Sequence, residues 1–463
     1  MNNAQDNAVN PSTSAAPRSD ADTTLDRLAE LSVLAVAEAR RLGASQAEAS
    51  AHDQCGLEVN VRVGEVESVE RTRDRGIAVT VYFGQRKAHA STADLKPESL
   101  RRTVEMACAI AKHTEADAAN GLADEARMAR SSRDFEQWHP WAIEADAAVA
   151  LALEAEAAGR GLDARISNSE GASVSTNEGL SVYANSHGFI GREKNTSHSI
   201  SAALIAGGGD AMQGGHWYTA ALRAEALESA VEVGHKAALR TLEKLDPRPA
   251  PTGEFPVLFA PEVARSLIAH LVGAVSGGAL YRKASFLLGA QGQRLFPEGF
   301  RIVERPHLKG GWRSGDFDAD GVATRESALI EDGVLQRYVL GTYSARRLGL
   351  ESTGNAGGVH NLEVAANAEG LASMLKGMRR GLLVTELMGQ GVNTVTGDYS
   401  RGAAGFWVED GAIAYPVDEL TIAGKLREMF LAIEAVGADI DPRSATAVGS
   451  LLVGRMTVAG AGA

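Results

Sequence analysis

The sequence predicts an α+β protein. Three patterns point to it: apolar residues recur at helical spacing near the start, several later runs alternate apolar with polar, and glycine concentrates after residue 205. The chain has 463 residues, 44% hydrophobic and 23% charged. Those values are ordinary for a soluble globular protein, and the length suits about two to four domains.

The opening residues 1–24 are polar and small and read as a disordered arm without an apolar signal core. Leu25, Leu28, Leu31, Ala35, Ala39 and Leu42 then trace one helical face, capped within Asp22-Thr23-Thr24. Leu57, Val59, Val61 and Val63 alternate, as do Ile77, Val79, Val81 and Phe83, and a further strand is expected between Gly64 and Gly76. Pro97 opens a helix to about Lys112. A polar stretch ending at Trp138-His139-Pro140-Trp141 separates this region from the next. A helix over 142–159 follows, then short strands over 165–169, 172–176, 180–185 and 188–201, and a helix over 223–245. The segment DPRPAPTG, with three prolines in eight residues, is the clearest boundary.

Beyond it, 256–259 reads as a strand and 261–275 as a helix with Glu262 in its first turn. Asp332-Gly333 and Asp410-Gly411 mark hairpins. Residues 371–380 and 420–436 read as helices and 450–458 as the last strand. The stretch TGDYSRGAAGFWVEDG divides into a glycine-eased loop, Thr396 to Ala404, and a strand running into its Asp-Gly turn. The expected division is therefore an arm over 1–24, a first α+β region over 25–115, a linker over 116–142, a second α+β region over 143–245, a Pro-rich linker over 246–253, and a β-rich, glycine-rich C-terminal domain over 254–463.

The formal charge of −13 leaves no basic surplus for a nucleic-acid backbone. No apolar run is long enough to span a membrane. The two cysteines, Cys55 and Cys108, supply no disulfide framework, and a cytoplasmic location fits. None of the 11 histidines is followed by Glu, and none lies three to five residues after another. Paired zinc ligands on one helix are therefore missing. Cys108 sits on an apolar helix face, and His270 stands alone on another. Ser276 and Ser400 imitate a nucleophile motif without its strand–turn–helix context. Gly389-Gln390-Gly391 begins a phosphate-loop pattern that Thr394 breaks. No catalytic residue emerges from this search. Glycine, arginine and polar turns remain, concentrated in YRKASF, TYSARRLG, STGNAGGVHN and the stretch from Glu386 to Gly411. Such loops usually carry function.

Those stretches carry a resemblance. HLVGAVSGGALYRKASFLL (His270–Leu288), GTYSARRLGLESTGNAGG (Gly341–Gly358) and the long run from Thr385 to Leu426 closely resemble the PmbA proteins, also called TldE. GEVESVERTRDRGIAVTVYFGQRKAHASTADL (Gly64–Leu95) resembles them too. The family's three sequence regions agree with the boundaries above. The resemblance implies a subunit of a heterodimer with a TldD-like protein, a zinc metalloprotease acting on unfolded or fragmented peptides and maturing some ribosomal peptides. The TldD partner holds zinc through a HExxxH helix and a later thiolate, with the Glu as general base. Aligned on Val272-Gly273 and Arg282-Lys283, Ala269 stands at the first ligand, His270 at the base and Ala274 at the second ligand. No cysteine follows Cys108. The expectation is a chain with no cofactor of its own, zinc in the partner, and no catalytic residue here. Arg282, Arg346, Asp398, Ser400 and Arg401 are expected to make polar chamber or interface contacts. Tyr399, Phe406 and Trp407 are expected to be packing or substrate-facing surface. The alternatives are a non-enzymatic scaffold forming homodimers and a peptidase active on its own.

Overall fold

A computed structural model describes residues 19–460. Residues 1–18, most of the expected arm, lie outside the described residues. The remainder of that expectation is corrected, because α1 (Asp20–Arg41) starts inside it. The Ser19 side chain caps this helix by accepting from the Asp22 amide, one of the donors a helix start leaves without a partner.

The expected strand fragments fuse into long strands. β1 (Gln46–Arg62) and β2 (Glu65–Phe83) form one hairpin around Val63 and Gly64, both at positive φ, 53° and 81°. The Glu156 carboxylate accepts from both turn amides at 2.7 Å. β3 (Arg86–Thr92) and α2 (Pro97–Ala111) complete the first region. α3 (Ala145–Gly161), β4 (Ile166–Asn185), β5 (Ile190–Ala206), β6 (Gln213–Ala221) and α4 (Ala230–Leu242) make up the second. β6 follows the glycine run where no strand was expected, and α4 starts later than the sequence suggested. Antiparallel pairing of β1 with β4, from Glu48↔Asn185 to Val61↔Ala172, joins the two regions into one sheet ordered β3-β2-β1-β4-β5-β6. Alternation puts Ala47, Ala49, Ala51, Leu57, Val59 and Val61 on one face. Helices α1 and α2 cover its first half, and α3 and α4 cover the second.

The C-terminal part begins with β7 (Gly253–Phe259), α5 (Pro261–Ala274) and α6 (Gly277–Tyr281). β8 (Ile302–Glu304), β9 (Ser327–Glu331), β10 (Val334–Leu335), α7 (Thr342–Leu348), β11 (Leu362–Val364) and α8 (Leu371–Met378) follow. β12 (Gly381–Met388), β13 (Val392–Asn393), β14 (Asp398–Glu409), β15 (Ala412–Lys425), α9 (Leu426–Leu431), β16 (Ile433–Val436), β17 (Thr446–Ala447) and β18 (Leu451–Ala459) complete it. The path β12-β7-β18-β15-β14 closes on itself through β12–β14 pairing and forms a barrel. A small second sheet runs β10-β9-β8-β11-β17. Both Asp-Gly hairpins form, with Asp332 and Asp410 at φ 49° and 52°.

Two expectations fail here. The helix expected over 420–436 is strand to Lys425, then one short helix, then strand again. The loop expected from Thr396 to Ala404 is strand from Asp398 onward. Among the described residues no helix is long and apolar enough to cross a membrane.

The barrel domain meets the long sheet along a mixed seam, where the Tyr183 hydroxyl donates to the Asp320 carbonyl and Phe317 packs edge-on to Phe189. The run Asp316-Phe317-Asp318-Ala319-Asp320-Gly321 crosses it. Asp316 accepts from the Arg133 amide and guanidinium at 2.7 and 2.6 Å. Asp318 accepts from three backbone amides, those of Asp320, Val322 and Ala356. Burial, with the Asp320 charge beside it, raises the Asp318 pKa to about 7. The folded chain therefore keeps a proton that the unfolded chain releases near pH 4. This contribution to stability is full below about pH 4 and is lost as pH rises through 7. Asp318→Asn should flatten the wild-type fall of the thermal midpoint over that window. Equal slopes in the two proteins would contradict the assignment.

Candidate functional site

α5 owes its place to packing. Ala264, Leu267, Ile268, Leu271 and Ala274 are buried along one stripe against the barrel core. Pro261 starts the helix, and Ala269 faces solvent. His270, half-buried, lies edge-on to Tyr399 of β14, with ring centroids 5.9 Å apart. Tyr399 and Arg401 are two residues apart on one strand and so share a face. Three buried atoms in this group, His270 Nε2, the Tyr399 hydroxyl and Arg401 Nε, have no hydrogen-bond partner among the described residues. Burial lowers the His270 pKa, and the nearby Arg401 charge lowers it further. Burial pushes Tyr399 up to about 12 against the opposing pull of Arg401.

These residues do not fit zinc. Alanine offers no lone pair at 269 or 274, and Ala274 is fully enclosed, so the core has no room for an imidazole there. Arg401 brings positive charge beside the one histidine. Among the described residues no three His, Cys, Asp or Glu side chains are grouped to hold a metal. Cys55 and Cys108 lie on β1 and α2, in the other half of the molecule.

The remaining expected residues disperse. Arg282 is exposed beside α6 and stacks over its neighbour Tyr281 at 5.3 Å. Arg346 turns inward along the chain: its guanidinium donates to the carbonyls of Ala119, Gly121 and Leu122 at 3.3, 3.0 and 2.6 Å. It clasps the 116–142 segment to α7, a contact within this chain. Asp398 pairs with Lys425 and accepts from the Thr396 hydroxyl. Ser400 is exposed, and its amide donates to the Gly391 carbonyl at 2.7 Å. Trp407 is wholly buried, edge-on to Phe255 at 4.9 Å, with its indole donating to Glu409. Tyr399 and Trp407 are thus core residues, and Phe406 is half-buried on the opposite face.

A polar network also went unforeseen. Glu304 accepts from Asn355 at 2.8 Å and from the His360 amide at 2.6 Å, and it pairs with Arg337. Burial opposes the Glu304 charge, but His360 and Arg337 outweigh it and hold its pKa low. This network anchors the loop STGNAGGVHN. No local pattern announces it, because its members come from β8, the β10–α7 connection and the loop itself.

The chain matches the PmbA/TldA metallopeptidase domain 1 over residues 47–111, the central domain over 138–245 and the C-terminal domain over 252–460. It is 45% identical over 427 residues to the metalloprotease PmbA homolog of Haemophilus influenzae, covering 92% of this chain and 94% of that one. The chain belongs to the PmbA/TldD metallopeptidase family. The metalloprotease PmbA of Escherichia coli O157:H7 is likewise 45% identical, over 414 residues, 89% of this chain and 92% of that one. The fold also superposes on TldE from Thermococcus kodakarensis with a TM-score of 0.80 at 20% identity, covering 92% of this chain and 99% of the other. In this family member, the clasp makes a direct prediction. Arg346→Ala should speed amide hydrogen exchange over residues 119–123 by about tenfold or more, the equivalent of about 1.4 kcal/mol of lost local stability. Unchanged exchange there would refute the clasp.

Proposed function

We propose that this chain is the metal-free subunit of a two-subunit zinc peptidase. One observation carries the reading: α5 is kept as a packed helix, while the two ligand positions bear Ala269 and Ala274 and the base position bears His270. The zinc would sit in a TldD-like partner, on a helix with HExxxH spacing, and would polarise the peptide carbonyl and activate water there. This chain would complete and gate the chamber, admitting unfolded or fragmented peptides, ribosomal peptide precursors among them. An extended peptide added to a sheet edge is held by backbone hydrogen bonds, which suits substrates of varied sequence. The complex would act in the cytoplasm.

Native pull-down of the tagged chain tests this. A TldD-like protein should accompany it, and peptidase activity on an unfolded peptide should appear only when the two are mixed. Full activity in the isolated chain, or no partner and no gain on mixing, would overturn the reading.

A further inference from the structure

Part of β5 has an edge that no strand closes. β5 pairs with β4 along its whole length, but with β6 only from His198↔Ala221 onward. Ahead of that point the Thr196 amide donates to the Gln137 carbonyl at 2.9 Å, so the even-numbered residues of β5 turn their backbone groups to this side. Arg192 and Lys194 therefore present N–H and C=O groups there, and no hydrogen bond among the described residues uses them on that side. An unpaired edge is a template for another strand.

A slot of about 360 Å³ lies beside this edge. Three runs of backbone line it: residues 131–135, residues 190–194 of β5 and residues 314–317. Residues 131–134, Arg192 and Glu193 are exposed, so the slot is open to solvent. Its two sides differ. Toward α1 it is apolar, with Leu25 and the half-buried Trp138. On the opposite side the Phe317 ring lies against Gly191, where a Cβ would strike it, and Glu193 follows two residues on. Every cation on the slot already has an anion: Arg133 pairs with Asp316, Arg192 with Asp26 at 3.1 Å and Lys194 with Asp22 at 3.0 Å. The carboxylates of Asp134 and Glu193 make no ion pair among the described residues. The slot thus offers backbone bonds, one apolar side and surplus negative charge.

We propose that the slot takes a short extended peptide as an added strand on β5, with a basic side chain toward Glu193 and Asp134 and an apolar one toward Leu25 and Trp138. Neighbouring residues of a strand point to opposite faces, so one apolar–basic pair satisfies both sides. The source of such peptides rests on the proposed function. The slot adds a hold on them within this subunit, apart from α5 and β14.

Direct binding to the purified full-length chain tests this. The probes are fluorescein-labelled Gly-Ser-Val-Lys-Gly-Ser, the same peptide with Glu in place of Lys, and two versions of the first N-methylated at alternate amides, one in each phase. The Lys peptide should bind about tenfold or more tightly than the Glu peptide, the scale of one charge-assisted hydrogen bond. One methylated phase should lose binding by a similar factor while the other keeps it, because a strand bonds β5 through alternate residues only. Glu193→Gln with Asp134→Asn should abolish the preference for Lys. Lys194→Pro removes an edge-facing N–H and should abolish binding, whereas Lys194→Ala keeps that N–H and should not. Equal binding of the two methylated forms, a Lys preference that survives the double variant, or binding indifferent to Lys194→Pro would each overturn the proposal. Peptide binding seen only after removal of residues 1–18 would give the slot to the chain's own start, and self-association lost on Lys194→Pro would give it to a second copy; either would also overturn it. Absence of peptide binding while the mixed complex still cleaves peptides would reject this slot alone. Binding as expected in a chain that gains no peptidase activity on mixing would reject the proposed function alone.

Discussion

Closure of the C-terminal barrel is the constraint on which the rest of the site depends. β12 and β14 pair from Gly381↔Val408 to Met388↔Gly402, with a register shift between Val384 and Glu386. Gly405 makes that approach possible, since a Cβ there would run into the Leu383 carbonyl oxygen. Once the barrel is closed, β14 has one face on the core and one away from it. Tyr399 and Trp407 fill the interior. Arg401 shares the Tyr399 face and comes to rest beside His270 of α5. A barrel left open at this seam would expose both strand edges and leave α5 without its floor.

α5 is held by packing alone. Its stability comes from the buried stripe of Ala264, Leu267, Ile268 and Leu271, none of which needs to ligate anything. Replacing a ligand by alanine on such a helix leaves the packing intact and improves helix propensity. At Ala274 the core has closed around the methyl group. The family's fold and this chain's proposed silence toward metal are therefore compatible. Fold and site chemistry are separable properties of the same residues' neighbourhood.

Much of the architecture was legible in the sequence, and the failures have physical causes. Helices with a clean apolar stripe, α1, α2 and α5, were read within a few residues of their ends. Both Asp-Gly hairpins were legible because the turn chemistry is local. The long strands were read as fragments because they outrun the usual strand length and carry solvent-facing charge, as in Glu65–Arg75 of β2. Only the end of β15, from Leu420, falls in the expected helix: Leu420, Ala423 and Leu426 have helical spacing, whereas pairing with β14 and β18 decides the state of that stretch. Gly397 and Gly402 suggest a loop over Thr396–Ala404, though β14 starts at Asp398 and Gly402 lies close against Met388 of β12. At the site, composition marked Arg346 and Arg401 as notable but not what they touch. Arg346 reaches carbonyls in a segment distant in sequence. The His270–Tyr399–Arg401 group exists only after the barrel has closed.

The central proposal is that this chain keeps the helix of a metallopeptidase site without the metal. Zinc content measured on the purified chain tests it most directly, alone and again after co-expression with a TldD-like subunit. The account predicts no stoichiometric zinc in the isolated chain, stoichiometric zinc in the complex, and no change in either on His270→Ala. Stoichiometric zinc in the isolated chain that is lost on His270→Ala would contradict it.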